Sequence, residues 1–210
     1  MTDSKTYKQT DTEKRLFSAA QQVFAKKGRF GANTQEIADL ANITKASLHY
    51  YYRRKEELYA AVFRYAFKES MFKTSEDLKL SDSFESTLHT FCNNMLSHYE
   101  KHPHLPQLWL QESLNGGQIW METCREIESE DRAPWRIFIE NAKSAIKSGE
   151  IKKVDPEQLL TSVVGSCVLP FVAEPIMAHF AEGLVEDKAK FLEERKKHVI
   201  ELIYNGVKKA

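Results

Sequence analysis

Between Thr34 and Leu58 the chain reads TQEIADLANITKASLHYYYRRKEEL, two short amphipathic segments on either side of a tight polar turn. Ile37, Ala38 and Ala41 recur at the three- and four-residue spacing of one helical face, and Leu48 and Tyr51 repeat that spacing in the second segment. Ile43 plugs the turn, and Ala38 is small enough to let two helices cross steeply. The pattern predicts a helix-turn-helix, with Leu48 and Tyr51 facing a shared core. Asn42 falls where the turn needs positive φ, a conformation Asn tolerates better than most residues.

Capping residues agree with this division. Asn33 stands three residues before Glu36, an Asx form of the capping box, and Thr44 is placed to cap the second helix. Lys45, Ala46 and Ser47 then form the first turn of that helix, the part of a recognition helix that reaches base edges. Upstream, Thr10 and Glu13 make another S/T-x-x-E pattern ahead of Leu16, Ala20, Val23 and Phe24, which share a face. They predict a third helix packed behind the pair and ended by Gly28.

The chain is neutral overall, but its charge is unevenly spread. Residues 1–55 hold 11 Lys+Arg against 5 Asp+Glu, a net +6, and the remainder is therefore −6. A basic head joined to an acidic body is the electrostatic footprint of a nucleic-acid-binding module attached to something else.

From about Thr12 to Phe63 the sequence resembles the DNA-binding domain of the TetR family of bacterial transcriptional regulators. The likeness is carried by AAQQVFAKKGRFGANTQEIADLANITKASLHYYYRRKEELYAAV, through the Gly28 turn to the Lys55-Glu56-Glu57-Leu58 start of a fourth helix. Asn42 stands where that family more often has Gly, and His49 where it more often has Tyr. The resemblance implies an all-α fold: a DNA-binding domain over residues 10–55 and a helical ligand-binding and dimerisation domain over 56–210. It implies phosphate contacts from Lys55, from Tyr50 and from Thr34 at a helix N-terminus, with Thr44 at the start of the next helix. Gln35, Lys45, Ala46, Ser47 and His49 are the candidates for reading bases. By chemistry Lys45 suits guanine, Ala46 a thymine methyl and Gln35 adenine.

Beyond Lys55 the pattern is helical throughout. Helices are expected over about 55–72 and 83–101, with a polar linker at 74–82 between them. Pro103 and Pro106 mark one boundary, Gly116-Gly117 the next, a restart lies near Pro134, and Asp155-Pro156-Glu157 opens another helix. A last helix is expected over about 185–208.

VVGSCVLPFV, residues 163–172, is apolar on every side of a helix and calls for a covering partner. The last helix carries one stripe through Val185, Ala189, Leu192, Val199 and Ile203, and a second through Phe191, His198 and Leu202. In the family these two places form a four-helix homodimer interface, here Val163, Val164, Leu169, Phe191, His198 and Leu202; an internal core explains the first stripe equally well.

The middle of the chain is rich in aromatic residues. Trp109, Trp120, Tyr99 and Phe171 are candidates to line a small-molecule cavity, with His89, Cys92 and Glu112 offering polar groups; the same residues also suit an ordinary helical core. The resemblance adds the expectation of an effector in this region, small and largely apolar, that releases a repressor from its operator. A redox- or metal-responsive regulator, or a helical enzyme with a DNA-binding head, are the alternatives.

His98 and His102 have a metal-compatible i,i+4 spacing, with His104 nearby, but no further ligand completes a set, so no metal is expected. Cys92, Cys124 and Cys167 are odd in number and widely spaced, as reduced thiols are; only Cys124, beside Arg125, has a basic neighbour. No catalytic motif or cofactor-binding pattern is present, and no enzyme activity or cofactor is expected. The start MTDSKTYKQT lacks a signal-peptide core and no apolar run is long enough to cross a membrane, so a cytoplasmic protein is expected.

Overall fold

Glycines, prolines and short polar caps set where the helices begin and end. A computed structural model describes residues 11–209. In chain order these form α1 (Asp11–Gly31), α2 (Thr34–Leu40), α3 (Lys45–Tyr51), α4 (Lys55–Lys79), α5 (Phe84–Lys101), α6 (Leu105–Leu114), α7 (Gln118–Ser129), α8 (Pro134–Ser148), α9 (Pro156–Val172), α10 (Glu174–Met177), α11 (Glu182–Glu186) and α12 (Lys188–Val207). Strand-like pairing among the described residues is confined to one antiparallel bridge, Ile151 with Lys208.

Two compact units emerge. The first holds the residues up to Tyr65 together with Gln107–Trp120. Its centre is Leu16, Phe24, Ile37, Leu48, Leu58, Tyr59 and Phe63, all essentially inaccessible. The second holds Ala66–Pro106 and the chain from Met121 onward. There α5 packs on α8, α9 and α12. The Phe138 ring lies 5.1 Å from that of Phe91 and 5.7 Å from that of Phe84. These units follow packing, so 56–65 and 107–120 cluster with the head although they lie beyond residue 55.

Several elements differ from the sequence expectation. The polar stretch 74–79 is helical, because Thr74, Ser75 and Leu78 are buried and the Ser75 hydroxyl is accepted by the carbonyls of Met71 at 2.9 Å and Arg132 at 2.5 Å. A short polar side chain with an internal acceptor enters a core as readily as an apolar one, which composition alone does not reveal. The last long helix starts at Lys188 rather than near Val185: the Asp187 side chain accepts the Lys190 amide and caps α12 after the separate turn of α11. Thr10, the expected cap of the first helix, lies outside the described residues.

Candidate nucleic-acid interface

The head is built around three turn devices. At Gly28 the backbone leaves helical geometry, with φ 67° and ψ 171°, and a Cβ there would lie 3.0 Å from the Gln111 Oε1. The positive φ is what calls for glycine here. The chain then makes one further turn, and Lys55 Nζ donates to the carbonyls of Phe30 at 2.9 Å and Ala32 at 3.0 Å. This fastens the end of α1 to the start of α4. Sequence reasoning gave Lys55 only a phosphate; two of its three N–H groups serve the fold.

Asn33 Oδ1 accepts the Gln35 amide at 2.8 Å, capping α2, and Lys27 meets Glu36 at 2.6 Å. Ala41 closes the helix onto Ile37, Asn42 has φ 53°, and the Ile43 amide donates to the Ala38 carbonyl at 3.0 Å. The expected left-handed Asn is therefore present. Thr44 Oγ1 accepts the Ser47 amide at 3.0 Å, so α3 begins at Lys45. Leu48 is buried, whereas Lys45, Ala46, His49 and Tyr50 are exposed and Ser47 half-buried. Lys45 and Ala46 stand on the first turn of α3, free of the core, as readers of a groove must be.

Two details of this surface were not foreseen. Gln35 Nε2 donates to Asp39 Oδ1 at 2.8 Å, which engages one of its two N–H groups. Tyr51, expected in the core, is 41% exposed. Tyr52, one helical turn beyond Leu48, lies on the inner side instead, its ring 6.2 Å from Phe17. Tyr50 is 85% exposed and meets Tyr51 edge to face.

The seven effector-site candidates fall into different units. Trp109, Glu112 and Trp120 belong to the first. Glu112 is buried and accepts the Tyr59 hydroxyl at 3.0 Å and the Ile119 amide at 2.8 Å. It joins α4 to the start of α7, a structural role the sequence does not signal. Burial, then the neighbouring Glu112 charge, raises the Tyr59 hydroxyl well above its ordinary range.

His89, Cys92, Tyr99 and Phe171 belong to the second unit. The rings of Tyr99 and Phe171 meet at 5.5 Å, while His89 is exposed and bonds to Asn93 at 2.9 Å, away from that interior. A hydrogen bond with Cys167, and burial next, hold the Cys92 thiol far above its ordinary value. Cys124 is pushed up to about 11 by burial and then by Glu128. Both shifts favour the protonated thiol over the thiolate.

Among the expected interface residues Val163 is fully buried in its own unit, because α9 turns that side toward α5 and α8. Val164 and Phe191 are half-buried and His198 is exposed. Leu169 is 47% and Leu202 63% exposed, and Ile176 and Phe180 are exposed as well.

By spacing alone His98 and His102 read as half of a possible metal site. No three His, Cys, Asp or Glu side chains gather in a metal-binding cluster among the described residues. Instead His98, with Lys73, Ser97, Lys101 and His102, lines a polar cleft of about 280 Å³ between α4 and α5. Burial, then repulsion from His102, holds its imidazole down to about 4 from an ordinary 6.5. Between those two values the unfolded chain takes up the proton and the folded one does not, so stability falls as pH drops from about 6.5 to about 4 and is level below. The loss is expected to be on the order of 2–3 kcal/mol. Urea unfolding across that range should show a shallower slope for His98→Gln than for the native protein.

A capped two-helix reader with an exposed basic first turn, carried on an otherwise helical chain, defines a DNA-binding transcriptional regulator. Residues 16–62 match the family described as bacterial regulatory proteins, tetR family. The HTH-type transcriptional regulator YhgD of Bacillus subtilis is 26% identical over 147 residues, 70% of this chain and 75% of YhgD. Among solved structures, the ketosteroid transcriptional regulator KstR2 of Mycobacterium tuberculosis superposes with TM-score 0.73 at 13% identity, covering 96% of this chain and 98% of that one. The transcriptional regulator FadR of Bacillus subtilis, in complex with stearoyl-CoA, gives TM-score 0.67 at 19% identity, with 92% and 98% covered. The likeness to this family covers residues 16–62, the helix-turn-helix head. No helix among the described residues is long and apolar enough to cross a membrane.

Proposed function

We propose that this protein is a homodimeric repressor that binds an operator through α3 and leaves it when a small, largely apolar molecule enters its helical body. The observation that carries the DNA-binding part is the first turn of α3: Thr44 fixes the start of the helix, and Lys45, Ala46 and Ser47 follow directly on a basic head. The functional division falls near residue 55, with reading before it and effector binding and dimerisation after it. The names of KstR2 and of the stearoyl-CoA complex of FadR support an apolar effector, and the buried rings of Tyr99 and Phe171 give the helical body an aromatic interior.

Lys45→Ala is expected to cost roughly 1–3 kcal/mol at one symmetric base pair and to relax specificity there. Binding to a panel of single-base operator variants measures this; an unchanged preference at every position would remove Lys45 from the reading set. Lys55→Met should act otherwise. Loss of its two carbonyl bonds is expected to lower stability by about 1–3 kcal/mol, and loss of its charge to reduce the salt slope of binding by about one for every sequence. Urea unfolding and a salt titration of DNA affinity check the two parts separately.

The effector reading is tested by operator release. Saturated fatty acids, their CoA esters and steroids are titrated into the protein–operator complex, and at least one class should dissociate it at micromolar concentration. If no apolar compound releases the operator while the protein alone binds it tightly, the apolar effector is wrong.

A further inference from the structure

Among the described residues, the lining of the cleft between the second half of α4 and the end of α5 includes no Phe, Tyr or Trp. Its lining brings Lys73 from α4 together with Ser97, His98 and Lys101 of α5 and the capping His102, and among the described residues no acidic one is part of it. The nearby acid Asp77 is engaged by the Asn94 amide at 2.7 Å. Two ammonium groups are therefore concentrated on a concave polar surface. The carbonyl end of α5 offsets this by roughly half an elementary charge, less than either lysine supplies.

His98 adds a more specific demand. Its imidazole is hydrogen-bonded to the Ala66 backbone, and its Nε2 is enclosed without a partner. An enclosed polar atom is rarely left unmet in a folded protein, so a group absent from the chain itself has a place here. Because burial keeps the ring neutral, the nitrogen opposite the Ala66 bond is an acceptor and needs a donor. The ring of His102 stands 4.9 Å away, centroid to centroid.

We infer that this cleft binds a small anion that also carries an O–H donor, a hydroxycarboxylate or a hydrogen phosphate, with the anion held by Lys73 and Lys101 and the hydroxyl donated to His98 Nε2. The volume of about 280 Å³ is just below the ~300–1,000 Å³ of pockets for drug-sized ligands, so the site takes a small molecule or the polar end of a larger one. This extends the proposed effector reading, which by itself called for an apolar molecule; the binding site does not depend on that reading being right.

The test uses the full chain without DNA. Glycolate, acetate and inorganic phosphate are titrated at constant ionic strength and followed by calorimetry and by the NMR signals of the imidazoles. Saturable binding of glycolate and phosphate is expected, with acetate at least threefold weaker because it lacks the hydroxyl. Lys73→Ala combined with Lys101→Ala, both on exposed positions, should weaken glycolate and phosphate at least tenfold. His98→Gln, whose amide can also accept a hydrogen bond, should retain part of the preference for glycolate, and His98→Phe should erase it. The proposal is overturned if none of the probes saturates at tens of millimolar, if the double lysine variant binds as the native protein does, or if acetate equals glycolate. A parallel operator-release assay with the same probes separates the two readings: binding without release sinks only the regulatory role of the cleft, and release by apolar compounds without binding here sinks only the cleft.

Discussion

Leu169→Glu combined with Leu202→Glu is expected to leave a folded monomer that no longer holds a two-half-site operator. Both side chains are exposed within their own chain, at 47% and 63%, so neither charge enters the interior of the unit that carries it. Under the proposed dimeric arrangement each would instead be enclosed without a partner against the second copy, at a cost on the order of 3–5 kcal/mol. That is more than a hundredfold in the dimer dissociation constant. A two-fold reader must present its two recognition helices about one DNA turn, ~34–36 Å, apart, so losing the dimer loses the operator although neither residue lies in the head. Sedimentation and operator affinity should fail together. A variant that remains dimeric, or a monomer that binds the full operator as tightly as before, would show that this face is not the interface.

Glu112→Ala should have the largest effect on stability. Its carboxylate is buried and receives both the Tyr59 hydroxyl and the Ile119 amide, and truncation removes both bonds. Each lost bond costs about 1–3 kcal/mol, giving an expected loss of about 2–6 kcal/mol. Tyr59→Phe, which removes one donor and leaves the other bond intact, should cost only about 1.5–3 kcal/mol, the range for a bond to a charged group. Urea unfolding of the single and double variants tests the pairing, because two partners of one bond couple and their losses do not add. Additive losses would mean that Tyr59 and Glu112 stabilise the head independently.

Local devices of the head were legible because each is written in a few neighbouring residues. Asn33, Asn42 and Thr44 act through bonds or dihedrals within three positions of themselves; Asn42 and Thr44 do what their side chains predict, and Asn33 caps α2 through the Gln35 amide, while Glu36 pairs with Lys27 instead of closing the expected capping box. Pro156 likewise opens a helix where the sequence announces one. What sequence did not reveal depends on distant partners. Lys55 reads as a free cation until the carbonyls of Phe30 and Ala32 are found beside it. Ser75 reads as linker until Arg132 supplies an acceptor from more than fifty residues away. Tyr51 and Tyr52 are chemically alike, and which one faces inward turns on where α3 ends and on the Phe17 ring. The aromatic candidates for an effector site fared least well for the same reason. Trp120 meets Phe63 in the first unit and Tyr99 meets Phe171 in the second, groupings that no spacing along the chain encodes.

Selection of bound fragments from random DNA by the purified protein, repeated with Lys45→Ala, tests the central claim most directly. Reading through α3 of a two-fold dimer predicts an inverted-repeat motif whose half-site centres lie about one helical turn apart, with information lost at one symmetric pair of positions in the variant. Fragments without a common symmetric motif, or a motif identical in native protein and variant, would contradict it.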